Sequence, residues 1–138
     1  MAYWLFKSEP DAWSWDQQAA KGAKGEAWTG VRNYQARNNM RAMQLGDRGF
    51  FYHSRQGLEI VGIVEVCALA HPDSTTDDPR WECVDIRAVR PLARPVTLEQ
   101  IKKEPGFEDM VLVKNSRLSV QPVTEDEWNL IRALGGAG

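Results

Sequence analysis

Between Ile60 and Val66 the chain is apolar at both alternating positions: Ile60, Val61, Ile63, Val64 and Val66 are interrupted only by Gly62 and Glu65. Successive side chains of a strand point to opposite faces, so a run that is apolar at both parities suits a central strand of a sheet. Gly62 inside it predicts a bulge or a close approach by another group. The aromatic run Phe50-Phe51-Tyr52-His53-Ser54 comes just before, and the turn-like Arg55-Gln56-Gly57 joins it to the stretch from Ile60 to Leu69. Together they predict a β-hairpin at the centre of the fold.

The remaining segments are short and punctuated. Tyr3-Trp4-Leu5-Phe6 is a β-prone run that enters the polar Lys7-Ser8-Glu9, where Pro10 cannot donate to a ladder. Ser14 with Gln17 forms a capping box for a short helix through Ala20, and Gly22 and Gly25 break the chain after it. From Asn33 to Leu45, Ala36, Met40 and Met43 share one helical face, and Gly46 supplies a stop. His71 to Pro79 is a polar loop. Trp81 to Val89 alternates as a strand, with Val84, Ile86 and Ala88 on one face and Cys83, Asp85 and Arg87 on the other. Thr97 with Gln100 caps a helix to Lys103 that Pro105-Gly106 ends, and Arg117 to Val120 reads as a last strand. Thr124 with Glu127 caps a final helix carrying Trp128, Ile131 and Leu134 on one face, stopped by Gly135-Gly136. Five or six short strands that do not alternate regularly with helices predict an α+β domain: a compact β-barrel with short helices packed around it, rather than a doubly wound sheet.

A length of 138 residues, 43% hydrophobic and 26% charged, suits a single domain spanning 1–138. No apolar run approaches the ~18 residues of a membrane span, and the start lacks a basic leader with a long apolar segment. The expectation is a cytoplasmic protein, nuclear in a eukaryote, and a monomer. Cys67 and Cys83 stand apart without a C-x-x-C or Cys/His cluster, so neither a metal site, a disulfide framework nor a cofactor is expected. A net charge of −2 argues against gripping long nucleic acid mainly through phosphates, an affinity that comes from concentrated Lys and Arg releasing counterions. The unusual feature is six tryptophans, each needing its ring packed or stacked and its N–H paired.

Several segments, taken as words, carry a resemblance. They are Trp4-Leu5-Phe6-Lys7-Ser8-Glu9-Pro10, the run from Trp28 to Asn38 (W-T-G-V-R-N-Y-Q-A-R-N), Gly46-Asp47, Phe50-Phe51-Tyr52-His53-Ser54, Gly62-Ile63-Val64, Trp81 with Val84-Asp85, and Arg117-Leu118-Ser119-Val120-Gln121-Pro122. In these the chain resembles the EVE domain family over essentially its whole length. The resemblance implies a PUA-like barrel, similar to the YTH and ASCH domains, with a pocket for a modified base turned out of its strand. The YTH likeness further implies that Lys7, Ser8 and Trp28 border that base.

Recognising an extruded base takes a π-face and a few fixed polar groups for its edge. Trp28 supplies the face; Asn33, Gln35 and Asn38 carry amides, and Ser8 and Ser54 carry hydroxyls, while Arg32 or Lys7 suits a flanking phosphate. With Glu9, Gly30, Val31, Tyr34 and His53 these make up the candidate ligand-binding set. Plainer readings compete. Trp28 is equally readable as core, while Trp4, Trp15 and Trp128 read as core and Trp13 and Trp81 are undecided. Asn33 is placed to cap the helix after it, which uses the same amide. Lys7 and Glu9 also read as an ordinary ion pair at the strand end. No activated nucleophile is evident: His53 and Ser54 are neighbours on a strand and point to opposite faces, and no G-x-S-x-G elbow is present. The expected partner is nucleic acid through one modified cytosine or adenine derivative. One alternative is a nucleoside-like small molecule, separable from the first by its indifference to salt; a more remote one is an enzyme acting on a nucleobase, for which Lys7 and Glu9 are the open acid–base pair.

Overall fold

The computed structural model describes residues 1–136. The elements, in chain order, are β1 (Tyr3–Ser8), α1 (Trp15–Ala20), β2 (Glu26–Ala27), α2 (Tyr34–Ala42), β3 (Arg48–His53), β4 (Glu59–Pro72), β5 (Glu82–Thr97), α3 (Leu98–Lys103), α4 (Val111–Lys114), β6 (Val120–Val123) and α5 (Glu125–Leu134). The strands form one mixed six-stranded sheet in the order β2-β5-β4-β3-β1-β6. The order has two ends, so the PUA-like architecture is a twisted, curling sheet and not a barrel closed by hydrogen bonds. β1 runs parallel to β3, and the other pairings are antiparallel.

The predicted hairpin is β3-β4, and β4 lies inside the sheet between β3 and β5. Its two faces feed two different cores, and the parity that serves each one switches at the register shift between Ile60 and Gly62. Val64 and Val66 join Trp4, Phe6, Phe51, Val84 and Ile86 on one side, where α2 adds Ala36 and Met40. Ile60 and Ile63 join Leu5, Phe50, Tyr52, Leu92 and Val96 on the other, closed by Ile101, Leu112, Trp128 and Ile131 of α3, α4 and α5. Removing a side chain such as Met40 from water contributes roughly 1.5–3 kcal/mol, so the two layers together hold the sheet between them. β5 changes sides along its length, with Val84 and Ile86 in the first core and Leu92 and Val96 in the second. Register shifts along β4 and β5, the first at Ile60/Gly62, supply the bending that such a change requires.

Gly62 has the close neighbour its position predicted. A Cβ built there would lie 2.4 Å from the Trp15 ring, which packs edge-on to Phe51 at 5.5 Å. All three predicted capping boxes form, at Ser14/Gln17, Thr97/Gln100 and Thr124/Glu127. The differences lie at the ends of elements. α2 stops at Ala42, β5 runs on as far as Thr97, and the last strand occupies Val120–Val123, beginning where the expected one ended. The short β2 and α4 were not predicted: at two and four residues they are too brief to show periodicity. No helix among the described residues is long and apolar enough to cross a membrane.

Candidate functional site

β1 ends between two loops, and a cavity of about 510 Å³ opens there. Its lining comes from three stretches, Lys7-Ser8-Glu9, Ala12-Trp13 and Glu26 to Arg32, with Ser119 completing it. Ser8 has the same strand parity as Trp4 and Phe6, so it faces the first core, and it is 7% exposed. Its hydroxyl donates to the Trp13 carbonyl, which leaves the oxygen free to accept. The backbone carbonyl of Ser8 accepts from the Ser54 N–H at 2.8 Å, tying the end of β1 to the residue after β3.

Trp28 follows β2, and its backbone N–H donates to Val84 O at 2.8 Å. Its ring is 8% exposed and meets Phe6 and Phe51 in T-shaped contacts at 5.4 and 5.7 Å. It is therefore both a core residue and a wall of the cavity. The second indole is Trp13. Its Nε1 donates to Gln18 Oε1 at 2.9 Å, and the fully buried Gln18 in turn donates from Nε2 to Ile86 O at 2.9 Å. That chain of bonds fixes Trp13 to the central sheet, as charge-free side-chain networks do when every member is satisfied.

The far wall is held by Asp73, a residue that sequence reasoning missed. Asp73 is 2% exposed. Its Oδ2 accepts from the Gly30 N–H at 2.9 Å and Arg32 Nη1 at 3.1 Å, and its Oδ1 accepts from the Thr75 N–H at 2.8 Å and from the Thr75 hydroxyl. Burial alone pushes this carboxyl upward, but the bonds from Thr75, Gly30 and Arg32 outweigh it and hold it at about 2. Gly30 can turn the loop here because its φ of +86° is open to glycine without a Cβ penalty. Arg32 also donates to Val31 O and to Thr75 Oγ1, so its guanidinium braces the loop.

Of the thirteen candidate residues, the fold brings Lys7, Ser8, Glu9, Trp28, Gly30, Val31 and Arg32 to the cavity. The others lie elsewhere. Asn33 Oδ1 accepts from the Ala36 N–H at 2.9 Å and caps α2. Tyr34 is half-exposed and stacks on Trp81 at 5.0 Å, with Arg37 4.9 Å from its ring. Gln35 is exposed, and Asn38 is exposed and accepts from Arg37. His53 packs edge-on to Phe51 while its Nε2 accepts from the Trp15 N–H at 3.1 Å. Ser54 lines a neighbouring cavity of about 380 Å³. The expected Lys7–Glu9 pair is replaced: Lys7 Nζ donates to Ser116 O at 2.6 Å, and Glu9 pairs with Arg55 at 3.3 Å.

Chemically the cavity offers two indoles, a buried hydroxyl, backbone groups of the Trp28–Arg32 loop, and balanced charge. Lys7 and Arg32 stand against Glu9 and Glu26. Partial burial pushes the Lys7 ammonium below its ordinary value. Among the described residues no group of three or more His, Cys, Asp or Glu side chains is placed to hold a metal ion. Such a lining suits a flat, neutral, partly polar ligand.

The family profile of the EVE domain matches residues 2–134. A crystal structure from Agrobacterium tumefaciens is 63% identical, with a TM-score of 0.97 over 99% of this chain and 94% of that one. Human thymocyte nuclear protein 1 (THYN1), solved in complex with 5-methylcytosine-containing DNA, is 33% identical, with a TM-score of 0.91 over 98% of each chain. The YTH domain of Zygosaccharomyces rouxii MRB1, solved with N6-methyladenosine RNA, is 17% identical with a TM-score of 0.58 over 97% of this chain and 83% of that one, a likeness of fold. With its profile matched from the first strand through the last helix and its fold shared with these structures, this chain belongs to the EVE domain family.

Proposed function

We propose that this domain binds nucleic acid by taking one modified base, a cytosine or adenine derivative, out of its strand and into the cavity beside Trp28. The observation that carries the reading is the joint placement of Trp28, Trp13 and the buried Ser8 hydroxyl around one opening of about 510 Å³. That volume lies within the roughly 300–1,000 Å³ of small-ligand pockets. The indoles supply the π-faces, and Ser8 Oγ and the loop backbone supply polar contacts for the base edge. Base–aromatic stacking contributes about 1–3 kcal/mol per base, which offsets the few kcal/mol of unstacking. The relative THYN1, which was solved with 5-methylcytosine DNA, supports the same ligand class.

The test is a calorimetric titration against matched single strands carrying cytosine, 5-methylcytosine, 5-hydroxymethylcytosine, adenine or N6-methyladenine. The expected result is selective binding of one modified strand, weakened about 5- to 150-fold in Trp28→Leu, the equivalent of 1–3 kcal/mol of stacking. A melting curve would establish that the variant is folded. Equal affinity for modified and plain strands, or a folded Trp28→Leu that binds as the parent does, would refute the proposal. The balanced charge of the lining also favours a second reading, a free nucleoside as ligand. It predicts affinity that is indifferent to salt and to the length of the strand.

A further inference from the structure

Lys7 borders not one cavity but two. Adjacent residues of a strand point to opposite faces, so the end of β1 sends Ser8 into the base cavity while Lys7 lies over Tyr52 on the other side, 5.8 Å from its ring. The neighbouring cavity of about 380 Å³ shares Lys7, Glu9 and Ser119 with the first. Its charge is different. Lys7, Arg55 and Arg117 face a single carboxylate, Glu9, in a chain whose net charge is −2. Arg117 is exposed and has no ionic partner among the described residues. Lys7 uses one of its three donors on Ser116 O. The hydroxyl-bearing Ser54 and Ser116 line the same space.

The backbone marks the place as well. Among the described residues, Arg55 and Leu58, at φ 67° and 46°, are the non-glycine residues with positive φ, and both line this cavity. Side-chain-bearing residues held in that region cluster at ligand clamps.

We propose that this second cavity is a phosphate subsite, in which Lys7, Arg55 and Arg117 hold the phosphodiester adjoining the nucleotide whose base enters the first. The assignment rests on the base-binding reading above and adds its partner chemistry: a strand rather than a nucleoside. A base and its own phosphates are one sugar apart, and Lys7 and Ser8 are one residue apart on opposite faces of β1. The neutral cavity receives the neutral base, and the cationic one receives the anion. Arg32, which the sequence offered for the flanking phosphate, is committed to Asp73 and Thr75.

The experiment compares two ligands, each made with 5-methylcytosine and with N6-methyladenine: the free nucleoside, and a single-stranded trinucleotide carrying that base in the middle. Binding to the wild-type domain, Arg117→Gln and Arg55→Gln is measured across a salt series. Both side chains are exposed, and folding of the variants is checked by melting. The expected result is that the trinucleotide outbinds its nucleoside and weakens with salt. Each variant lowers the log–log slope, by at most the share of the one phosphate held there, about 0.7 for a single strand. Nucleoside affinity is unchanged in both. Nucleoside binding combined with a trinucleotide salt slope that neither variant alters would overturn the phosphate subsite and leave the base cavity standing. Failure of every nucleoside and trinucleotide to bind the wild-type domain would overturn both.

Discussion

Replacing Asp73 with Asn keeps the shape of the side chain and removes the charge that braces the cavity wall. The native carboxylate accepts four hydrogen bonds, two on each oxygen. An amide has one oxygen, so its NH2 must face either the Gly30 N–H with Arg32 or the Thr75 N–H. One buried backbone donor is then opposed by another donor, at a cost of ~1–3 kcal/mol. The charge can be sized separately. A carboxyl held at about 2 instead of 3.8 contributes about 2 kcal/mol at neutral pH, since each unit is worth about 1.4 kcal/mol. The two figures overlap, and we expect a net loss of about 2–4 kcal/mol. With an unfolding entropy of ~2.1 cal/mol/K per residue over 138 residues, that lowers Tm by roughly 7–14 °C. The acid arm supplies an independent signature. Because the folded value is depressed, the contribution is fully present above about 4 and disappears as the pH falls through about 2. Urea midpoints measured from pH 5 down to pH 2 should decline less steeply in Asp73→Asn than in the parent, and the Gly30 amide should exchange faster in the variant. A variant with the parent's midpoint at pH 7, or with its acid slope, would show that Asp73 does not brace the loop.

Asn33→Ala should destabilise the domain by about 1 kcal/mol through loss of the α2 cap while leaving modified-strand affinity unchanged; lost binding at unchanged stability would return the amide to the base edge. His53 accepts the Trp15 N–H only through an unprotonated Nε2. Burial lowers its pKa against the opposing pull of Glu59 and Asp16, so the unfolded chain takes up the proton first. Stability is therefore full above about 6.5 and falls as the pH drops below it, a decline that a urea series should show and His53→Gln should flatten. Gly62→Ala forces a methyl into the Trp15 ring and should cost roughly 1–3 kcal/mol, read as a lower Tm; a melting point equal to the parent's would mean that Trp15 moves aside freely.

How far the sequence foretells this molecule depends on the range over which each feature is encoded. The central strand was legible because burial on both faces writes itself into consecutive residues, and the helix caps because Ser14, Thr97 and Thr124 act on donors three positions away. The order of the sheet was not. β1 pairs with β3 and β6 across long stretches of chain, and the ends β2 and β6 are too short to show a period. The run from Trp28 to Asn38 shows the limit within a single motif. Its first five residues form the cavity loop, and Asn33 then starts a helix. Each further residue of a helix rotates by about 100°, which turns Tyr34, Gln35 and Asn38 away from the opening that Trp28 faces. Adjacency in a motif implied a shared site for all of them, and helical geometry divided them.

The residues that complete the cavity have the opposite relation to the sequence, being distant along the chain and joined in space. Asp73 lies 43 positions from Gly30 and 41 from Arg32. Locally it reads only as a turn residue, because one carboxylate oxygen takes the Thr75 N–H two positions on. The other oxygen is left to find donors elsewhere, and the loop after Trp28 supplies them. Gly30 exposes a backbone N–H there that no strand or helix claims. Each loop thus satisfies the other's spare hydrogen-bonding capacity. The wall beside Trp28 is rigid because a carboxylate has two oxygens and a turn uses only one.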